Sequence, residues 1–145
     1  MAAEEATQKV SKLDDIDAQL KQRLEQMHEE AAEAERRGTE LAGNFEGKKT
    51  AILEEARDTK SKASEMLLTY IDRESDALDG FEFLTMAEAG EVGHWSILDT
   101  LNQRARDAAI DQYVQWGLPI QQRHFEEVQQ ASSQLASEKD PGEAA

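Results

Sequence analysis

The sequence predicts an all-α protein, an antiparallel four-helix bundle, and three observations carry that prediction. Ala, Glu, Gln, Leu, Lys and Arg, which favour helix, dominate a 145-residue chain with only two Pro. β-Branched residues are few and scattered, so a sheet has little to build on. Apolar residues recur at alternating steps of three and four, the spacing of a stripe along one helical face. The length is that of one domain, expected over 1–137, and no low-complexity linker divides it.

The first helix is expected over about 4–41. Val10, Leu13, Leu20, Leu24, Met27, Ala31, Ala34 and Leu41 form a heptad-like stripe that Asp17 and Gly38 interrupt. This helix is long enough to outrun shorter partners, so its overhang could pair with another chain. Gly43, Asn44, Phe45, Glu46 and Gly47 end it with turn chemistry. The second helix, about 48–73, has a thinner stripe: Ile52, Ala56, Ala63, Met66, Leu67, Tyr70 and Ile71. A polar connection over 75–80 follows, with Asp79 as candidate N-cap. The third helix is expected over about 81–104 and the fourth over about 108–137, with Asp107 as the fourth's candidate N-cap. The closing SEKDPGEAA reads as a flexible acidic tail over 138–145. Two hairpins of similar length imply up-down-up-down connectivity.

Thirty-one acidic residues against 16 basic give a formal net charge of −15. Such a surface repels phosphate backbones and anionic lipid, so nucleic acid and membrane are not expected partners. The absence of Cys excludes disulfides, thiolate metal sites and cysteine nucleophiles. No apolar run approaches the ~20 residues that span a bilayer. The first twelve residues lack the apolar stretch of a signal peptide, so a cytoplasmic location is expected. No nucleophile–base arrangement, glycine-rich phosphate loop or basic patch stands out, and hydrolase, kinase and nucleic-acid readings have no support.

The informative residues are polar ones in line with apolar ones. On the third helix the series Leu84, Ala87, Glu91, His94, Leu98, Leu101 carries Glu91 and His94, with Glu88 one turn before Glu91 on a neighbouring position. On the fourth, Ile110, Val114, Gly117, Gln121, His124, Val128, Ala131, Leu135 carries Gln121 and His124. A carboxylate in a core must be compensated by a proton, a hydrogen-bond partner, a cation or solvent. An antiparallel hairpin turning near Arg106 sets Glu88 opposite His124 and Glu91 opposite Gln121, at one level of the bundle. Gly90 and Gly93 flank Glu91 and read as room for packing against Trp116, the other reading being room for a ligand or a close helix crossing. Pro119 is expected to kink the fourth helix just before Gln121.

Each histidine has Glu or Gln three residues earlier: Glu91-Val-Gly-His94, Glu25-Gln-Met-His28 and Gln121-Gln-Arg-His124. Such a pair projects from one face and can offer an oxygen and a nitrogen to one ion, a donor set that suits iron, manganese or zinc better than calcium. Two readings stay open for His94 and His124: metal ligation, or a metal-free hydrogen-bonded network with Glu88, Glu91 and Gln121. Glu25 and His28 sit beside the stripe of the first helix, where a solvated boundary pair is the other reading.

The stretch Phe83-Leu-Thr-Met-Ala-Glu-Ala-Gly-Glu-Val-Gly-His-Trp resembles a ligand-bearing helix of the ferritin-like superfamily, which includes rubrerythrins and di-iron carboxylate bundles. Leu118-Pro-Ile-Gln-Gln-Arg-His-Phe-Glu-Glu-Val resembles its partner helix. The likeness covers roughly residues 81–136. It implies a bundle that binds, oxidises or stores iron, with Glu91, His94 and His124 as ligands and Glu88 as a further carboxylate. Gln121 stands where the family motif has Glu, and the second helix has no Glu-x-x-His. The resemblance then leaves a one-metal site, a site completed by a second chain in a dimer, or a member without metal. The alternative function is a non-enzymatic structural or interaction protein, pairing with itself or another helical protein, with a metal-free Glu–His–Gln network.

Overall fold

Aspartates decide where three of the helices begin. A computed structural model describes residues 2–13, 15–44, 65–67, 69, 71 and 75–142. Asp17, in extended conformation, accepts from the amide of Leu20 at 2.8 Å and starts one long helix. Asp76 accepts from Asp79 N at 3.0 Å while the Asp79 carboxylate accepts from Asp76 N at 2.9 Å. This reciprocal box satisfies two amides that the first helical turn leaves without partners. Asp107 accepts from Ala109 and Ile110 amides at 2.9 and 3.0 Å. The helices are α1 (Ala2–Val10), α2 (Ala18–Gly43), α3 (Ala77–Ala105) and α4 (Ala108–Ser137). No strand occurs among the described residues. No helix among them is long and apolar enough to cross a membrane. The helix expected over 48–73 falls mostly outside the described residues.

Two starts differ from those expected. The first helix, expected unbroken over 4–41, is interrupted between Val10 and Ala18. Lys12 and Leu13 donate to carbonyls three residues back, tightening the end of α1. Asp17 then caps α2 instead of continuing the helix. Released from α2, α1 folds back along it and also packs on α3. The Asp15 carboxylate accepts from Ala77 N at 2.9 Å, and Lys9 Nζ donates to the Ile71 carbonyl at 2.8 Å, tying the turn to the start of α3. A Cβ at Gly80 would stand 2.9 Å from Val10 and Leu13 side chains, so the close approach of α1 to α3 needs glycine there. Helix α3 itself starts four residues before the expected Phe81, because the cap is Asp76 and Asp79 is the third residue of its first turn.

Among the described residues α3 and α4 make the largest interface, and they run antiparallel through a tight connection. Arg106 closes α3 in the left-handed region, at φ 55°, and its amide returns to the Asn102 carbonyl. Asn102 is buried, and its side chain donates to the Asp107 carbonyl and accepts from the Asp107 amide, both at 3.0 Å. α2 packs on α4, also antiparallel, with the Tyr113 hydroxyl donating to the Ala34 carbonyl at 2.9 Å and Arg37 lying 3.9 Å over the Trp116 ring.

The interior is layered. At the α1 end, Val10, Ile16, Leu24, Met27, Leu67, Ile71, Phe81, Leu84 and Val128 form an apolar core. Toward the α3–α4 turn, Trp95, Tyr113 and Trp116 form an aromatic layer, with the Tyr113 ring centroid 4.7 Å from that of Trp95 and 6.3 Å from that of Trp116. Between these layers lies Glu88, 1% exposed, with His124, 3% exposed. At the C-terminus, where a flexible tail is expected, the Lys139 ammonium pairs with the Asp76 carboxylate at the start of α3. That contact depresses the Asp76 carboxyl, with the Asp79 amide assisting, and raises the Lys139 ammonium.

Candidate functional site

The middle layer is built by α2, α3 and α4. Glu88 lies one turn beyond the fully buried Leu84, so it is carried into the interior by its helix. Gln121 Nε2 donates to Glu88 Oε2, and Glu88 Oε1 has no hydrogen-bond partner among the described residues. One donor for a buried carboxylate is too few. Burial, opposed by the Gln121 hydrogen bond and helped by the Glu91 charge, raises the Glu88 carboxyl from its ordinary 4.5 to about 7. Below about pH 7 a proton is therefore part of the compensation.

His124 presents its two nitrogens to two carboxylates. Nε2 lies 2.5 Å from Glu30 Oε2, and Nδ1 lies 3.8 Å from Glu88 Oε2. The short contact assigns the Nε2 proton to the Glu30 bond. Glu30 also accepts from Arg123 Nη2 and, through Oε1, from Gln26 at 3.0 Å. Burial alone would raise the Glu30 carboxyl, but the hydrogen bonds from Arg123, His124 and Gln26 outweigh it and hold the group below its ordinary value. The Arg123 Nε faces Glu127 at 4.0 Å. The result is a cluster linking α3, α4 and α2: Gln121 hydrogen-bonds Glu88, Arg123 and His124 hydrogen-bond Glu30, and between the two halves His124 Nδ1 approaches Glu88 to 3.8 Å, beyond hydrogen-bonding distance.

The expected site residues separate. Glu88, Gln121 and His124 come together. Glu91 is half-buried, makes no hydrogen bond among the described residues, and acts on Glu88 and Tyr113 through its charge; the Tyr113 phenol is raised to about 12 by burial and by Glu91. His94 is exposed. The inner positions of α3 are Leu84, Glu88, Trp95 and Asn102, whereas Ala87 is half-buried and Leu101 is 62% exposed. Trp95 takes the place expected for His94 because α4 offers it a gap. A Cβ at Gly117 would stand 2.1 Å from the Trp95 ring. Gly117, not the Gly90–Gly93 pair, is thus the glycine that makes room for an indole, and Trp116 lies under Arg37 instead. Pro119 sits on the exposed side of α4, as does Gln115, whose carbonyl it leaves without a helical donor. Glu25 is exposed, and the half-buried His28 lines a groove between α1 and α2 with Thr7, Ser11 and Lys12.

Glu30 and Arg123 do not figure in the pattern read from the sequence. Glu30 lies three residues after Met27 and so falls on the same face, but the apolar series steps over it to Ala31. Among the described residues, no group of three or more His, Asp or Glu converges to hold one ion. The expected four-ligand set does not converge as placed: His94 is exposed, whereas Glu88 and His124 are buried. Beside Glu30 the positive charge is already supplied by Arg123.

Fold and site together define a protein, all-helical among its described residues, with a carboxylate–amide–imidazole–guanidinium cluster that is buried at Glu88 and His124 and opens to solvent at Arg123. No protein-family model, curated protein or solved structure matches it, so no family is assigned.

Proposed function

We propose that the chain is a helical structural and interaction module in which the polar layer sets how α2, α3 and α4 sit against one another. The observation that carries this reading is the cluster of Gln121, Glu88, His124, Glu30 and Arg123, which spans three helices through hydrogen bonds at either end and a 3.8 Å approach of His124 to Glu88 between them. Apolar layers tolerate sliding by one turn, whereas a slid network would leave Glu88 and His124 buried without partners. The burial of Leu67 and Ile71 in one core with residues of all four described helices supports reading the whole as a helical bundle to which 48–73 contributes. The likeness to ferritin-like bundles rests on the residue pattern of 81–136 alone.

A second reading, a transition-metal site for iron, manganese or zinc, draws on His124 Nε2 beside Glu30 with Glu88 behind the other ring nitrogen. It ranks second because Arg123 would repel a cation there.

The test replaces the layer with apolar residues: Glu30→Leu, Glu88→Leu, Gln121→Leu and His124→Leu in one protein. Far-ultraviolet circular dichroism is expected to keep its helical signal. Amide chemical-shift dispersion and the near-ultraviolet signal of Trp95 and Tyr113 are expected to collapse as register is lost. Dispersed spectra of a single state would remove the register role.

A further inference from the structure

α3 shows solvent a face that its packing does not use. Met86, Ile97 and Leu101 are 39%, 58% and 62% exposed. Gly90 and Gly93 lie between them, and each has open space where a Cβ would stand. Steps of three and four residues put these five on one face with Glu82 and Arg104, opposite Leu84, Glu88 and Trp95. Both Glu82 and Arg104 are exposed. Glycines weaken a helix, and nothing described within the chain packs into the space these two leave.

The order of side chains along this face is self-complementary when read backwards. A two-fold axis at Gly93 brings Gly93 onto the partner's Gly93. It sets Gly90 beside the partner's Ile97, a bulky side chain against an open one. The hollow lined by Asp79, Glu82, Phe83 and Met86 then faces the partner's Leu101. Glu82 meets the partner's Arg104. A parallel pairing would instead set acid against acid and base against base.

We propose that the outer face of α3 is a homodimer interface, on which α3 of a second copy packs antiparallel about a two-fold axis at Gly93. The occupant is a second copy because two pairs of features on this face, Glu82 with Arg104 and Gly90 with Ile97, complement each other about one two-fold axis. The two glycines let the helix backbones approach closely at the axis, and the apolar residues on either side fill the remaining space. The chain's charge of −15 opposes indiscriminate self-association, and Arg104 opposite Glu82 offsets that repulsion on this face. This inference rests on the reading of the chain as an interaction module. Its test alters only the outer face of α3, so its failure leaves the network reading standing.

The experiment is sedimentation velocity on the full chain over a micromolar concentration series. A dimer is expected. Ile97→Asp and Leu101→Asp should each raise the dissociation constant about 100-fold, as loss of a central interface residue does. Their helical circular dichroism should be unchanged, because both side chains are exposed. Glu82→Arg and Arg104→Glu should each weaken the dimer about tenfold, and the double exchange should restore it. A monomer at every concentration, including one with this face protected by another part of the chain, overturns the proposal. So does a dimer indifferent to these substitutions, or a double exchange that restores nothing.

Discussion

Replacing Glu88 by Gln is expected to stabilise the protein at pH 8 and to leave it unchanged at pH 4. Glu88 is buried, its Oε1 lacks a partner among the described residues, and its carboxyl is raised from 4.5 to about 7. A folded-state value above the unfolded one means that the folded protein binds the proton more tightly. The contribution is fully present below pH 4.5 and is lost as pH rises through about 7. Above that, an ionised Glu88 costs up to about 3 kcal/mol, from the shift at 1.36 kcal/mol per unit. The substitution keeps the shape of the side chain and removes the titrating group. Urea denaturation from pH 4 to 9 should show wild-type stability falling between pH 5 and 8 from this group, and Glu88→Gln removing that fall. Glu30 and Asp76 act in the opposite sense. Their carboxyls are depressed, so their contributions are present above the ordinary range and are lost in stronger acid. Identical pH profiles for wild type and Glu88→Gln would show that Glu88 is not desolvated.

The second large effect is at the contact of Trp95 with Gly117. Trp95→Ala should cost about 3–5 kcal/mol, the loss for a buried aromatic. Gly117→Leu should cost about 1–3 kcal/mol by overpacking, since even a Cβ there meets the indole at 2.1 Å. The two combined should cost less than their sum, because the leucine fills part of the space the indole leaves. His94→Ala, on the exposed side, should stay within about 0.5 kcal/mol of wild type. Equal losses at 94 and 95, or strict additivity at 95 and 117, would mean that α3 presents a different face to α4.

These two contacts also mark where sequence reading succeeds and stops. The level at which Glu88 meets α4 was legible, because two long helices joined at Arg106 and Asp107 have one short connection and hence one antiparallel pairing. That pairing puts Glu88 beside His124 and Trp95 on Gly117. The face of α3 was not legible. Two heptad series share Leu84, Glu91 and Leu98; one adds Ala87, His94 and Leu101, the other Glu88, Trp95 and Asn102. The first looks more apolar, but it turns His94 and Leu101 to solvent. The second contains a Glu, a Trp and an Asn that only tertiary partners make suitable for an interior: the Gln121 amide, the gap at Gly117 and the Asp107 backbone. The break before α2 was hidden for a related reason. Val10, Leu13 and Leu20 keep helical spacing across it, so only Asp17 signals the new start. Glu30 and Arg123 meet across 93 positions, which no local spacing can reveal.

The proposed compensation of the buried polar residues by one another and by a proton on Glu88 competes with compensation by a metal ion. It is tested most directly by counting metal in the chain purified without chelator and then titrated with ferrous iron, manganese and zinc. Less than stoichiometric metal is expected, with no rise in melting temperature on addition of any of the three ions. One ion per chain, lost together with its melting-temperature gain in Glu30→Ala and His124→Ala variants, would contradict it.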